Sequence, residues 1–384
     1  MHKHLCIYFT ETKSAMRKSI PFAVSILCAM TLASAGAQAQ ARAAAAVPAA
    51  QQSMPLAAAD KAAAVELLAQ RLSANYVYAD GGNKMAAAIR GHLRKGDYDK
   101  AATHTAFAEM LTSHLQAVNP DKHLSVRHRP NARPDRPRPS LKDGMPPEVR
   151  ERMTEVGKYW NFAFEKVERL PGNIMYMKFD SFFDADIAKA AATAAMNFAA
   201  SGNAMIIDLR DNGGGDPRMV AHVASYLLGD KKVHLSDMYF RADNETDSFW
   251  SDPAVPGAHF GADKPVYVLT GRETFSAAED FTYSLQAIKR ITVVGETSGG
   301  GAHPIHPYRI DPHMIAIIPI GRTINPITKG NWEGSGVKPD VAVAADKALA
   351  KANALALRQV LPQVKDAEDR PLLEKKLAEL EASL

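Results

Sequence analysis

The sequence predicts an α/β fold in which a small helical region precedes a core of alternating strands and helices. Short, continuous apolar runs, typical of strands buried on both faces, recur between segments whose apolar residues have helical spacing. This alternation favours parallel pairing of the strands. The 384 residues are 46% hydrophobic and 23% charged, which is typical of a globular chain with one large domain and an appendage, or with two domains.

The first 39 residues have the pattern of a secretory signal peptide. The basic residues of Met16–Lys18 precede an apolar run at 22–32, and the Ala-Gln-Ala at 37–39 matches a small-residue cleavage site. We therefore expect translation to start near Met16 and the mature chain to be periplasmic or secreted. Residues 40–55 are predicted to be an alanine-rich linker.

Both cysteines, Cys6 and Cys28, lie in this leader, so we expect a mature chain with neither a disulfide nor a thiol nucleophile. Leu27 stands before Cys28, where a lipoprotein would have a small residue. The apolar run is also too short to span a bilayer comfortably. We therefore expect no lipid anchor and no stable membrane insertion, and a net charge of +4 gives no reason to expect a nucleic-acid partner.

Four segments are predicted along the mature chain. Residues 56–129 are expected to form a helical N-terminal domain, because alanine, leucine and methionine recur at spacings of three and four. Residues 130–159 are rich in proline and arginine and are predicted to be a linker. Residues 160–343 are predicted to form the α/β core, and 344–384 the C-terminal helices.

Glycines and apolar runs predict where the elements lie within these segments. Gly81, Gly82 and Gly96 are expected to break the N-terminal helices. In the core, strands are predicted at 174–179, 204–209, 265–270, 291–295 and 314–319, and helices at 185–199, 219–228 and 277–288.

A glycine-rich turn follows the strand predicted at 204–209. Its sequence is Arg210-Asp211-Asn212-Gly213-Gly214-Gly215. Successive glycines leave backbone N–H groups exposed, which suits a phosphate or a developing oxyanion. The turn lacks the Lys-Ser/Thr of a Walker loop and the glycine spacing of the dinucleotide fingerprint. A tight strand-to-helix turn without a ligand is an equally supported interpretation.

A serine lies at another strand-to-helix junction, in the segment Thr274-Phe275-Ser276-Ala277-Ala278-Glu279. Ser276 and Glu279 match a capping box, worth about 1 kcal/mol to the helix, and this structural role alone accounts for the pattern. The position also suits a nucleophile, because a helix N-terminus stabilises nearby negative charge. In that case the N–H of Ala277 is one oxyanion donor, and Gly213 or Gly214 supplies the other.

A third segment is the turn WEGSGVKPD at 332–340, which carries the carboxylate of Glu333 before two glycines. The three segments resemble the S41 serine peptidases in their residues and in their order along the chain. A fourth segment, VVGETSGGGAHP at 293–304, shares this resemblance. That family includes C-terminal processing proteases, tricorn-type proteases and retinoid-binding relatives. The resemblance covers residues 174–341 and implies a crotonase-like (ClpP/crotonase-type) ββα spiral, a catalytic domain at 160–343, and no cofactor or metal.

The departures from the family pattern are informative about the base. Processing proteases use a lysine in a G-K-G turn, but the turn here is Gly299-Gly300-Gly301. There is also no room for a PDZ domain between residues 129 and 174. The resemblance thus points to the tricorn and retinoid-protein-like branch, in which a histidine supported by a glutamate is the base. The matching residues are His123 and Glu333, and His303 is the rival base.

The expected activity is hydrolysis of peptide bonds by Ser276, His123 and Glu333 through an acyl-enzyme, with a peptide or protein as substrate. Two other classes stay open. A carrier of hydrophobic ligands can have the same fold, because fold does not fix function, and a cell-envelope scaffold would use the helical region for contacts. The sequence determines neither the substrate specificity nor the oligomeric state.

Overall fold

The computed structural model describes residues 56–135 and 146–384. The expected signal peptide and alanine-rich linker, together with residues 136–145 of the expected proline-rich linker, lie outside the described residues. Within the described ranges, no helix has the length and apolar character needed to cross a membrane.

The described residues form nine α-helices and twelve β-strands. The helices are α1 (Ala58–Asn75), α2 (Ala79–Arg94), α3 (His104–Val118), α4 (Pro147–Tyr159), α5 (Ala185–Ala199), α6 (Pro217–Ser225), α7 (Ala277–Ala287), α8 (Ala348–Val360) and α9 (Asp369–Ala382). The strands are β1 (Ser125–His128), β2 (Phe164–Leu170), β3 (Ile174–Phe179), β4 (Ala204–Asp208), β5 (His234–Phe240), β6 (Glu245–Trp250), β7 (Val266–Thr270), β8 (Thr292–Gly295), β9 (Ile305–Asp311), β10 (Met314–Pro319), β11 (Gly321–Ile324) and β12 (Val341–Ala342).

The main sheet has six strands in the order β12-β8-β7-β4-β3-β2. Its pairs from β3 to β12 are parallel, and only β2 pairs antiparallel, at the edge. The central strands β4 and β7 are buried along their whole length, as their continuous apolar runs predict. Helices α5, α6 and α7 cover one face and α8 the other. The predicted mixed α/β core with a parallel-rich sheet is therefore confirmed.

Two smaller sheets are antiparallel and have the orders β1-β10-β9 and β11-β5-β6. The sequence patterns predicted only β10 among these strands. The reason is their composition, since β6 (Glu-Thr-Asp-Ser-Phe-Trp) is mostly exposed and β9 contains a proline. Such strands lack both the continuous apolar run and a clean alternation of apolar and polar residues.

The helical region at the N-terminus shares its core with the sheet β1-β10-β9. Leu68 of α1 and Phe107 of α3 belong to the same buried cluster as Met314 and Ile318 of β10. Strand β1 pairs with β10 from Ser125 to His128. The short loop between α3 and β1 is therefore held against the α/β core.

One prediction about the N-terminal half is wrong. Gly81 and Gly82 do not break a helix but lie inside α2, and the chain turns before it, between α1 and α2. The reason is packing: a Cβ on Gly82 would clash with the carbonyl oxygen of Leu72, so glycine lets α2 approach α1. Within the expected linker at 130–159, the structure contains α4, in which Met153 and Gly157 are buried.

Candidate active site

Ser276 stands between β7 and α7 with an unusual backbone. Its φ is 55° and its ψ is −120°, a combination that residues with a side chain rarely adopt. Strained residues of this kind cost about 1–3 kcal/mol and persist where the surrounding structure enforces them, most often at functional sites. A sharp, strained strand-to-helix turn is also the geometry that exposes the nucleophilic serine in α/β-hydrolases.

Hydrogen bonds hold this turn to the end of β4. The hydroxyl of Thr274 donates to the carbonyl oxygen of Leu209 at 2.7 Å and accepts from the N–H of Gly271 at 2.9 Å. The N–H of Phe275 donates to the carbonyl oxygen of Asn212 at 3.0 Å. The serine turn and the glycine-rich turn are thus fixed to each other, as their positions at the carboxyl ends of parallel strands β7 and β4 require.

Glu279 has the capping role that the sequence predicts, and its carboxylate also binds the glycine turn after β8. Its buried carboxylate accepts from the N–H of Ser276 at 2.9 Å, while the N–H of Glu279 has the carbonyl oxygen of Ser276 as acceptor at 2.9 Å. The same carboxylate accepts from the hydroxyl of Ser298 at 2.6 Å and from the N–H groups of Gly300 and Gly301 at 2.6 and 2.8 Å. Burial raises the pKa of Glu279 to about 7, although these four hydrogen bonds oppose the shift.

The glycine-rich turn lies directly against Ser276. Gly214 has φ +102°, and a Cβ there would lie 2.7 Å from Cβ of Ser276 and 2.9 Å from the nitrogen of Ala277. No residue with a side chain fits this place. The predicted close approach of the two turns is therefore what the structure shows.

The N–H groups of this turn, however, have internal acceptors. The N–H of Gly213 donates to the carbonyl oxygen of Asp180 at 3.1 Å, and that of Gly214 donates to Oδ1 of Asn212 at 2.9 Å. The N–H groups of Gly213 and Gly214 are therefore not exposed, as the sequence pattern had led us to expect, but hydrogen-bonded within the protein. Ala277, in contrast, is the first residue of α7, and such a residue has no acceptor for its N–H within the helix.

His123 is carried by the loop between α3 and β1, and it lies beside the serine turn. Its ring centroid is 4.5 Å from that of Phe275, the residue before Ser276. A Cβ on Gly301 would lie 2.7 Å from Cε1 of His123, so the ring also contacts the glycine turn after β8. The side chain is buried, and its Nδ1 atom has no hydrogen-bond partner among the described residues.

Asp121, His303 and Glu333 surround His123. One ring nitrogen of His123 and one carboxylate oxygen each of Asp121 and Glu333 lie within 4.8 Å of one another. His303 places Nδ1 2.7 Å from Oδ2 of Asp121 and 3.5 Å from Oε2 of Glu333. The site therefore has two histidines and two carboxylates, where the sequence predicted one base, one rival and one carboxylate.

The electrostatics of the cluster follow from its burial. Burial lowers the pKa of His123 to about 4, although the negative charge of Asp121 opposes the shift. Burial and the neighbouring charge of Asp121 raise the pKa of Glu333. For Asp121, burial alone would raise the pKa, but the hydrogen bond from His303 and the nearby histidine charges outweigh it and lower the pKa. His123 is thus a neutral imidazole at pH 7.

Asp121, His123 and Glu333 are of the residue types that ligate divalent metals, and among the described residues they are the one such group of three. Two carboxylates beside a neutral imidazole are equally suited to stabilising that imidazole when it takes up a proton. The serine turn next to this group favours the second use, because a protonated imidazole is what activation of a serine produces.

The structure thus brings Ser276, Ala277 and Gly214 together, with His123 against the serine turn and Glu333 beside His123. Sequence reasoning missed Asp121, Asn212 and the multiple contacts of Glu279. For Asp121 a signal was present, because it precedes His123 by two residues in the segment Asn119-Pro120-Asp121-Lys122-His123. Asn212 occupies the first turn position before the glycines, where asparagine side chains commonly accept from the backbone.

Two family models match the sequence. The model for peptidase family S41 matches residues 173–343, and the model for the N-terminal domain of S41 peptidases in eukaryotic IRBP matches residues 43–168. The first range holds the serine turn, the glycine-rich turn and Glu333, and the second holds His123.

Solved structures share the fold. A predicted peptidase from Parabacteroides merdae aligns with a TM-score of 0.53 and 18% identity, over 77% of this chain and 96% of that chain. A lipoprotein from Streptococcus agalactiae aligns with a TM-score of 0.52 and 13% identity, also over 77% of this chain and 96% of that chain. At such identities the similarity concerns the fold alone.

Proposed function

The chain belongs to peptidase family S41, and on that premise we propose that it is an exported serine peptidase that uses Ser276, His123 and Glu333. The observation that carries this assignment is the backbone of Ser276, which is strained at the start of α7 and packed against Gly214. A helix cap does not require such strain, and neither does a carrier of hydrophobic ligands or a scaffold. A nucleophile held out from a tight turn does.

In the proposed reaction, the hydroxyl of Ser276 attacks the carbonyl carbon of a peptide bond while its proton passes to His123. Burial keeps His123 neutral before the attack, so its lone pair is available at pH 7. The imidazolium that forms is stabilised by the carboxylate of Glu333. It then gives its proton to the leaving amine, which departs as the acyl-enzyme forms, and a water molecule releases the acyl group by the same steps.

The developing oxyanion needs two donors. The N–H of Ala277 points away from the helix it begins and is one of them. Gly214 is the second, since it lies nearest to Ser276 and Ala277. Its N–H must then exchange Oδ1 of Asn212 for the oxyanion when substrate binds. Gly213 is less suited, because its N–H is held by the carbonyl oxygen of Asp180 in the neighbouring loop.

Export is supported by the leader at residues 1–39 and by the absence of cysteine after Cys28. We propose a periplasmic or secreted location for the mature protein, with peptides or proteins as substrates. Fractionation of cells that produce the full chain, with mass determination of the released form, tests this. A product that keeps residues 1–39 and stays with the cytosolic fraction would contradict it.

Turnover of a quenched-fluorescent peptide library tests the assignment of the nucleophile. We expect hydrolysis by the wild type, background turnover by Ser276→Ala, and wild-type turnover by the control Ser201→Ala, which changes an exposed serine. His123→Ala should lose turnover, while His128→Ala, at an exposed histidine, should keep it. Hydrolysis that survives in Ser276→Ala would refute the assignment.

A further inference from the structure

The cluster beside Ser276 contains a histidine–carboxylate pair that the proposed reaction does not use. His303 follows the glycine turn after β8, and Asp121 lies in the loop between α3 and β1. Both side chains are buried. They are 182 residues apart in sequence and are joined by a hydrogen bond of 2.7 Å between Nδ1 of His303 and Oδ2 of Asp121.

Asp121 is a point where three parts of the chain meet. Its Oδ1 accepts from the backbone N–H of His123 at 3.0 Å, which fixes the loop that carries the proposed base. Its Oδ2 accepts from the hydroxyl of Tyr76 at 3.1 Å, in the helical region, and from His303. Tyr76 in turn accepts from the side-chain amide of Asn119 at 2.7 Å. The carboxylate therefore ties the base loop to the helices and to the glycine turn.

The surroundings of His303 define which ring nitrogen has the proton. Nδ1 faces two carboxylate oxygens, at 2.7 Å in Asp121 and 3.5 Å in Glu333, so it must be the donor. Nε2 is buried and has no partner among the described residues. A proton on Nε2 would be a buried donor without an acceptor, which is costly. Of the two neutral tautomers of His303, the environment thus favours the one with N–H at Nδ1.

The position of His303 also matters for Glu333. The carboxylates of the buried Asp121 and the partly buried Glu333 have oxygens within 4.8 Å of each other, and like charges at such a distance repel. The Nδ1–H of His303 lies between them. Besides this group, Oε2 of Glu333 has the backbone N–H of Ala302 as a donor at 2.6 Å. Ala302 thus donates a hydrogen bond to Glu333, and His303 lies next to the same oxygen, with Nδ1 at 3.5 Å.

We propose that Asp121 and His303 are positioning residues of the peptidase site: Asp121 fixes the Nδ1–H tautomer of His303, and His303 holds Glu333 against His123. This inference rests on the proposed function. It also assigns different roles to the two histidines. His123 contacts Phe275 in the serine turn, whereas the ring of His303 lies against Tyr78 of the helical region, with 5.7 Å between ring centroids.

The pair also influences the base electrostatically. The charged or titratable groups that act on His123 are Asp121, His303 and Arg127, and Glu333 completes the cluster. The charge of Asp121 raises the pKa of His123 against the effect of burial. Removing that charge should therefore move the acidic limb of the activity profile to lower pH. A purely structural defect would reduce activity at every pH without moving the limb.

The tautomer can be measured in the wild type. In long-range ¹H–¹⁵N spectra of ¹⁵N-histidine-labelled protein, the histidine whose signals disappear in His303→Gln should have its N–H at Nδ1. Signals assigned in this way that show N–H at Nε2 would overturn the proposal. This readout does not depend on turnover or on the folding of an apolar variant.

Kinetics test the positioning role. Because a misplacement of about 1 Å can cost about 100-fold in rate, we expect His303→Leu to lose about 100-fold in kcat/KM. His303→Gln retains a side-chain N–H toward Asp121 and should recover about 10-fold of that loss. Asp121→Asn should lose activity and shift the acidic limb to lower pH. Two matched controls should behave as the wild type. They are His306→Gln, at a buried histidine, and Asp311→Asn, at a carboxylate 3.6 Å from His104.

The outcomes separate this inference from the proposed function. Turnover that is lost in Ser276→Ala but unchanged in a folded His303→Leu would overturn the positioning role and leave the nucleophile in place. Loss of activity in Asp121→Asn with an unmoved acidic limb would overturn the electrostatic part. Wild-type protein without any Ser276-dependent turnover would overturn the proposed function and, with it, the role assigned to the pair.

Discussion

The contact between Gly214 and Ser276 provides a sharp test of the site. An alanine at 214 would place its Cβ 2.7 Å from Cβ of Ser276, 2.8 Å from the carbonyl oxygen of Phe275 and 2.9 Å from the nitrogen of Ala277. Real Cβ atoms do not approach other atoms so closely, and two of the three neighbours belong to the backbone, so the serine turn must move. The φ of +102° adds a strain of about 1–3 kcal/mol.

The steric part can be separated from the strain. Gly261 has φ +92°, similar to that of Gly214, but a Cβ there meets nothing within 4 Å. Gly261→Ala should therefore cost only the strain of about 1–3 kcal/mol, whereas Gly214→Ala should cost about 1–3 kcal/mol more from overpacking. Because a displacement of about 1 Å can lower a rate about 100-fold, Gly214→Ala should also lose about that much activity, and Gly261→Ala none.

Denaturant unfolding and the rate of labelling by a fluorophosphonate measure the two effects on the same samples. A clash between residue 214 and the serine turn is refuted if Gly214→Ala labels at the wild-type rate, or if its free energy of unfolding falls by no more than that of Gly261→Ala. Labelling that is slow in both variants would show that backbone strain, and not displacement of Ser276, controls reactivity.

Three further predictions follow from other contacts. In α2, Gly82→Ala should destabilise the protein by about 1–3 kcal/mol, because the new Cβ clashes with Leu72. Gly91→Ala, whose Cβ meets nothing within 4 Å, should stabilise it by about 1 kcal/mol. Thermal and denaturant unfolding compare the two variants, and a loss of stability in both would contradict the packing argument. Glu279→Gln puts an amide where four donors converge, so it should lower the free energy of unfolding by about 1–3 kcal/mol and slow labelling of Ser276. Unchanged unfolding and labelling would be inconsistent with a role of Glu279 in holding the serine turn. Burial lowers the pKa of His123 from 6.5 to about 4, so the proposed base stays neutral between these two pH values. The acidic limb of the pH profile of kcat/KM should therefore lie well below pH 6.5. A limb at pH 6.5 would show that His123 is not the base.

Much of the fold is predictable from the sequence because the central strands are buried on both faces. The ranges 174–179, 185–199 and 314–319 match β3, α5 and β10 residue for residue. The failures share a physical cause, namely that partly exposed elements lack a continuous apolar pattern. Helix α4 buries two residues, and β6 is mostly exposed, so tertiary contacts and not local periodicity define them.

The sequence indicated those members of the candidate site that belong to local motifs. The order of the turns indicated Ser276, Ala277 and Gly214, and the resemblance to the S41 family indicated His123. What the sequence could not reveal depends on contacts between distant segments. Asp121 and His303 meet across 182 residues, and the N–H of Gly213 finds its acceptor in the loop after β3. The first pairing forms only when the loop after α3 docks on the α/β core, and the second only when β3 and β4 pair in the main sheet.

The position of a covalent adduct shows whether Ser276 is an activated nucleophile. The purified protein would be reacted with a fluorophosphonate at pH 7, digested and mapped by mass spectrometry. We expect one modified peptide with the added mass on Ser276, and an unmodified protein when His123→Ala is treated in the same way. An adduct on another serine, or a folded wild type that remains unmodified, would contradict it.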